Sequence, residues 1–114
     1  MKGIVLRTAE QEEYPHPKHD RFFLRDVVTA ENNPALSLHR GRIEAGGEIL
    51  PHTHEGQTET FYILGGEAIC TINGVEHHFG AGCCVVAPSG VQHSLKNIGD
   101  EPVDLLAIFT PPLK

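Results

Sequence analysis

Apolar residues in this chain come in short runs, and glycine or proline interrupts them about every ten residues. That spacing belongs to an all-β sandwich or barrel. No longer stretch carries a convincing 3.6-residue period, so helices should be few. In the N-terminal part the pattern predicts strands over residues 3–8, 22–28 and 36–43, with Gly46 and Gly47 ending the third. Residues 10–20 (EQEEYPHPKHD) are polar and hold Pro15 and Pro17, which reads as a loop or extended arm. A series of hairpins follows, with strands over 58–64, 67–72, 75–79, 83–87, 93–98 and 103–109. Asn73-Gly74 is the clearest turn, because both residues tolerate the positive φ of a type I′ hairpin. The total is about nine or ten strands. Neither a repeat nor a linker interrupts them, so residues 1–114 read as one domain.

Composition narrows the partners. A formal net charge of −6 disfavours nucleic acid and anionic membrane surfaces, both of which are bound through Lys and Arg. No apolar run approaches the roughly 20 residues needed to span a bilayer. The first ten residues lack the apolar stretch of a signal peptide, so a cytoplasmic protein is expected. Cys70, Cys83 and Cys84 are odd in number and two are adjacent, which suits reduced thiols packed as small apolar residues. The chain holds eight histidines, the side chain most used for transition metals, so their positions matter.

On a strand, side chains alternate faces with period 2. His52 and His54 therefore project together. Glu59, Phe61 and Ile63 share a face of the next strand, and His93, Leu95 and Asn97 share a face of a later one. If these faces line one barrel, three imidazoles and one carboxylate converge. Buried without partners they would be costly, and a metal ion would satisfy all four.

These residues sit in two spaced motifs. Residues 46–66 read Gly46, five residues, His52-Thr53-His54, four residues, Glu59, six residues, Gly66. Residues 82–97 read Gly82, five residues, Pro88-Ser89-Gly90, two residues, His93, three residues, Asn97. Both resemble the paired motifs of the cupin family, and the fifteen residues between them resemble its short microbial form. The resemblance implies a double-stranded β-helix, or jelly-roll barrel. It implies one divalent ion on His52, His54, Glu59 and His93. Such N/O ligands suit Fe, Mn, Ni, Co, Cu or Zn. Four protein ligands leave positions open for substrate, water or dioxygen.

The function expected first is metal-dependent oxidation of a small organic molecule by a dioxygenase, with Glu59 also relaying a proton. A decarboxylase, isomerase or lyase on the same ligands is an alternative, as is a module that binds a small molecule or metal without catalysis. A homodimer is expected, with the 22–28 strand as the edge that pairs with a second copy. His16 and His19 read as solvated loop residues. His39, His77 and His78 are minor candidates for the pocket wall, Phe61 a stronger one, and Tyr62 should point away. Gln57 is placed to hydrogen-bond a ligand. Arg40 and Arg42 are the nearest cations for an anionic substrate. Length leaves no room for a helix-turn-helix segment or a second barrel.

Overall fold

The computed structural model describes residues 2–114; Met1, the first residue of the expected domain, lies outside the described residues. Nine strands form one continuous curled sheet: β1 (Glu13–Pro15), β2 (Asp20–Val28), β3 (Ser37–His52), β4 (Thr58–Gly65), β5 (Ala68–Ile72), β6 (Val75–Phe79), β7 (Cys84–Ala87), β8 (His93–Asn97) and β9 (Val103–Thr110). A 3₁₀ turn, Thr8–Glu10, is the sole helical element among the described residues. The fold is all-β, as the pattern implies, and it is the jelly-roll barrel that the resemblance implies. Strand order is β6-β5-β8-β3-β9-β4-β7, with β2 on β3 and β1 on β2, all neighbours antiparallel.

The long strand β3 builds the barrel, because it serves both halves. Residues up to Ile43 pair with β2 and β9, while Glu48, Ile49 and His52 pair with β8. The strand changes partner, from β9 to β8, around Gly46, which has φ +80°, and Gly47, whose added Cβ would lie 2.8 Å from the Asp20 carbonyl. The two glycines therefore bend the strand rather than end it, and it runs on to His52. They provide the backbone freedom that a sheet corner needs.

Inward residues alternate as period 2 requires. Along β9, Val103, Leu105, Ala107 and Phe109 are buried and their neighbours are not. Ile43, Ile63, Cys70 and Leu95 join them in the core. The Asn73-Gly74 hairpin forms with φ +51° and +80°, as its sequence demands. Gly66 closes another tight passage at φ +90°, where a Cβ would meet the Pro102 carbonyl at 2.6 Å.

Three expectations need correction. Residues 3–8 form no strand: Ile4 and Val5 are exposed and pair with no ladder, so β propensity alone does not hold them. The edge of β2 is not free, because β1 covers Phe23, Leu24 and Arg25. Cys84 does not pack inside. It faces outward beside Tyr62, while Cys70 is fully buried and burial pushes its thiol up to about 12. No helix of the described residues is long and apolar enough to cross a membrane.

Candidate metal centre

Four donor groups come together inside the barrel. His52 ends β3 and His93 begins β8, and the two are direct cross-strand partners with ring centroids 4.3 Å apart. Glu59 projects inward from β4 beside Phe109 of β9. His54 lies just past the end of β3, where its ring packs edge-on against Phe109 at 4.9 Å. One donor atom from each of the four lies within 4.8 Å of every other.

The donor chemistry fits a cation. His52 Nδ1–H donates to the Leu50 carbonyl at 2.7 Å, and His93 Nδ1–H donates to the Val91 carbonyl at 2.9 Å. Each bond fixes the tautomer and leaves Nε2 with a lone pair aimed at the centre. His93 Nε2 then meets Glu59 Oε1 at 2.7 Å, and His52 Nε2 meets His54 Nε2 at 3.1 Å. Two lone pairs cannot face each other at 2.7 Å unless a proton or a metal ion stands between them. His54 Nε2 also lies 3.2 Å from Glu59 Oε1. Separations near 3 Å are those of atoms sharing one ion at bonds of about 2.1 Å.

Electrostatics agree. Burial would raise the Glu59 carboxyl, but its bonds to His54 and His93 outweigh burial and hold it at about 2. It is a carboxylate at neutral pH, the form a metal needs. Burial also works against a charge on His93, yet its contacts with Glu59 and Val91 leave its pKa raised. Metal and proton thus compete for one place, and metal uptake should release protons.

The centre opens into a cavity of about 630 Å³. Phe22, Leu24, Ile49, Phe61, Leu105 and Phe109 are among the apolar side chains of its wall. Phe61 is inward as expected, and Tyr62 is exposed. His77 and His78 lie exposed on β6, away from the cavity, and Gln57 does not line it either. Arg40 and Arg42 face the outer wall, where Arg42 pairs with Glu13 at 2.8 Å and Arg40 with Asp104 at 3.6 Å. Their odd-numbered neighbours Gly41 and Ile43 take the inward places, so neither arginine reaches the site.

His16 and His19 are not solvated loop residues. The arm from 16 to 19 roofs the cavity, with His16 stacked on Phe22 at 5.9 Å and His19 packed 4.9 Å from the His52 ring. The Leu50 N–H donates to His19 Nδ1 at 3.0 Å, so the imidazole is neutral and carries its proton on Nε2. Burial, and then His16 and His52, push its pKa from 6.5 down to about 4. A polar arm with prolines gave no periodicity by which to place it. The only signal in the sequence was a pair of histidines flanking Pro17.

A pH dependence follows. The unfolded chain takes up a proton at this histidine near pH 6.5 and the folded chain only near 4, so its contribution is full above about 6.5 and drains as pH falls toward 4. The thermal midpoint of metal-free protein should drop between pH 7 and 4, and less steeply in His19→Asn, whose amide oxygen still accepts the Leu50 N–H. Parallel slopes for the two proteins would remove His19 from the account.

His39 is buried on β3 and lines the cavity beyond Phe109, whose ring it meets edge-on at 5.6 Å. Asp26 Oδ1 bonds its Nδ1 at 2.7 Å and Ser37 Oγ its Nε2 at 2.9 Å. Tyr14 donates its hydroxyl to Asp26 at 2.7 Å, and Lys114 Nζ donates to the Tyr14 oxygen at 2.9 Å. This cluster joins residues a hundred positions apart, a pairing that no local pattern reports.

Residues 39–109 match the cupin domain family. The oxalate-binding protein of Thermotoga maritima is 34% identical over 80 residues, which cover 70% of this chain and 66% of that protein, just under two thirds of its length. A crystal structure from Thermotoga maritima, described as that of a predicted oxalate decarboxylase, superposes with a TM-score of 0.85. It is 27% identical and covers 95% of this chain and 99% of that one. Ectoine synthase from P. lautus superposes at 0.84 over 98% of this chain and 80% of its own, but at 19% identity it speaks for the fold alone.

Proposed function

The chain belongs to the cupin domain family, and on that premise we propose that it holds one divalent transition-metal ion on His52, His54, Glu59 and His93 and uses it to bind and decarboxylate a small carboxylic acid. The observation that carries this reading is the meeting of three imidazole Nε2 atoms and one carboxylate oxygen beside a cavity large enough for a ligand. The two oxalate-named relatives weigh toward acid chemistry over the dioxygenase that the motifs suggested first, although both would use the same ligands.

A bound ion supplies Lewis acidity toward a carboxylate oxygen. The chain's own residues do the rest. The Leu50 and Val91 carbonyls hold the His52 and His93 rings in the ligating tautomer. Glu59 takes up a proton only near pH 2, so its share at neutral pH is to hold the ion rather than to relay a proton. His19 presents Nε2–H next to His52, placed to donate to an oxygen of a bound acid and turn it toward the ligands. The apolar wall keeps water away from the breaking C–C bond, which favours departure of uncharged CO₂, and the electron pair left on carbon takes up one proton, from His19 Nε2–H or from solvent.

One relative's description as an oxalate-binding protein supports a second reading, binding without turnover. A single assay separates the two: metal-loaded protein is given oxalate and larger acids, with calorimetry for binding and released CO₂ for turnover. Metal-dependent binding with CO₂ release is the expected result. Binding without CO₂ would establish the binding module, and no metal-dependent binding of any acid would sink both. The three free cysteines suit a reducing cytoplasm, where we place the protein. For the homodimer, exposed Tyr62, Leu64 and Val86 on the outer face of β4 and β7 offer the apolar area.

A further inference from the structure

The cavity is large for oxalate. At about 30 Å³ per water, 630 Å³ holds roughly twenty waters, and an acid of six heavy atoms leaves most of that space empty. The wall is chiefly aromatic and aliphatic, a surface that gains by covering apolar substrate and gives a bare dianion nothing. Charge is distributed just as unevenly. The whole chain carries −6, yet the cavity lining holds Lys18 and Lys114 against Glu59 as its sole acid among the described residues, with Asp26 behind it bonded to Lys114. The lining is thus close to neutral inside an acidic protein, and it repels an anion less than the protein as a whole does.

The polar groups sit at two separated places. His52, His54, Glu59 and His93 form one group, whose His54 meets the Phe109 ring edge-on at 4.9 Å. His39, which meets the same ring at 5.6 Å, belongs to the other, bonded to Asp26, which also binds Tyr14 and Lys114. Tyr14 and Lys114 both line the cavity, and the ammonium lies 4.6 Å from the centre of the tyrosine ring. Asp26 Oδ2 at 3.4 Å and the Tyr14 oxygen at 2.9 Å take two of its three protons, leaving one donor free. Asp26 is itself shared with His39 and Tyr14, so this end is not sealed by one compact ion pair.

From this arrangement we infer that the cavity is built for an amphipathic, two-ended acid: an oxygen-bearing head at the four ligands, an apolar body about the size of one aromatic ring along Phe22, Leu24, Phe61 and Phe109, and a second anionic group on the free N–H of Lys114, which Tyr14 and Asp26 hold in place. The assignment of the head rests on the metal reading above, whereas the body and tail rest on the cavity itself.

Three probe acids test it by calorimetry, on protein with and without Mn²⁺: oxalate, phenylacetate and 4-carboxyphenylacetate. The aryl diacid should bind at least about tenfold more tightly than either other acid. Lys114→Gln should erase its advantage over phenylacetate while one metal ion per chain is retained, and Tyr14→Phe should reduce it about threefold. Oxalate binding as tightly as the diacid would overturn the inference, as would a diacid advantage that survives Lys114→Gln. Mn²⁺-dependent binding of oxalate alone would leave the metal reading standing and sink the two-ended acid. Lys114-dependent binding of the diacid that ignores Mn²⁺ would uphold the tail and body and defeat the metal-held head.

Discussion

Replacing His93 with alanine is expected to abolish stable metal binding, lowering affinity by more than about 100-fold. Loss of a hydrogen-bond partner behind a ligand already weakens metal sites by 10- to 100-fold, and here a ligand itself is removed. His93 is the best anchored of the four: its side chain is 3% exposed, its tautomer is fixed by the Val91 carbonyl, and it stands between His52 and Glu59. The substitution also leaves the buried Glu59 carboxylate with His54 as its remaining partner. Elemental mass spectrometry on protein grown without added metal makes the check. About one ion per parent chain and almost none per variant is the expected pair of values. Equal metal in both would place the ion elsewhere, and His52→Ala would then serve to find out whether β3 contributes at all.

The second large effect concerns stability. Asn97 closes the second motif but binds no metal. It is 3% exposed, and its amide donates to the Ile43 carbonyl at 3.0 Å and the Glu101 carbonyl at 2.9 Å. Its oxygen accepts the Gly99 N–H at 2.9 Å. One side chain thus ties the end of β8 to the β8–β9 turn and to the middle of β3. Three hydrogen bonds, one buried and two part-buried, at about 1 kcal/mol each make Asn97→Ala about 3 kcal/mol destabilising, a fall in thermal midpoint of roughly 10 °C. Asn97→Asp is the sharper variant. It is nearly the same size, but sets a carboxylate against two carbonyl oxygens, so it should lose at least as much. A loss below about 1 kcal/mol in both would show that packing, and not hydrogen bonding, holds this corner.

The four donor residues that come together could be picked out because both motifs resemble those of cupins, and alternation places three of them on inward faces once the barrel closes. His52, Glu59 and His93 lie on or at the ends of strands whose inward parity is set by flanking apolar residues. Asn73-Gly74 and the positive-φ glycines Gly66, Gly82 and Gly90 fix where those strands turn. Where the rules are local, the chain obeys them. Where an element's fate depends on a partner far away, sequence reasoning fails in a consistent way. Residues 3–8 have strand-forming side chains but no ladder to join. β3 continues through two glycines because different neighbours, β9 and β8, claim its two halves.

By itself, then, the sequence determined short antiparallel strands and their turns, which follow from alternation and glycine conformation, and its two motifs, through their resemblance to cupins, marked the barrel and the four residues able to hold an ion. The tertiary structure alone decided what surrounds those four residues. The roof of His16 and His19, the turning outward of Arg40 and Arg42, and the cluster of Tyr14, Asp26, His39 and Lys114 all depend on barrel closure. Closure sets residues 14–19 and 113–114 against one cavity and joins side chains a hundred positions apart, at distances that no period along the chain encodes.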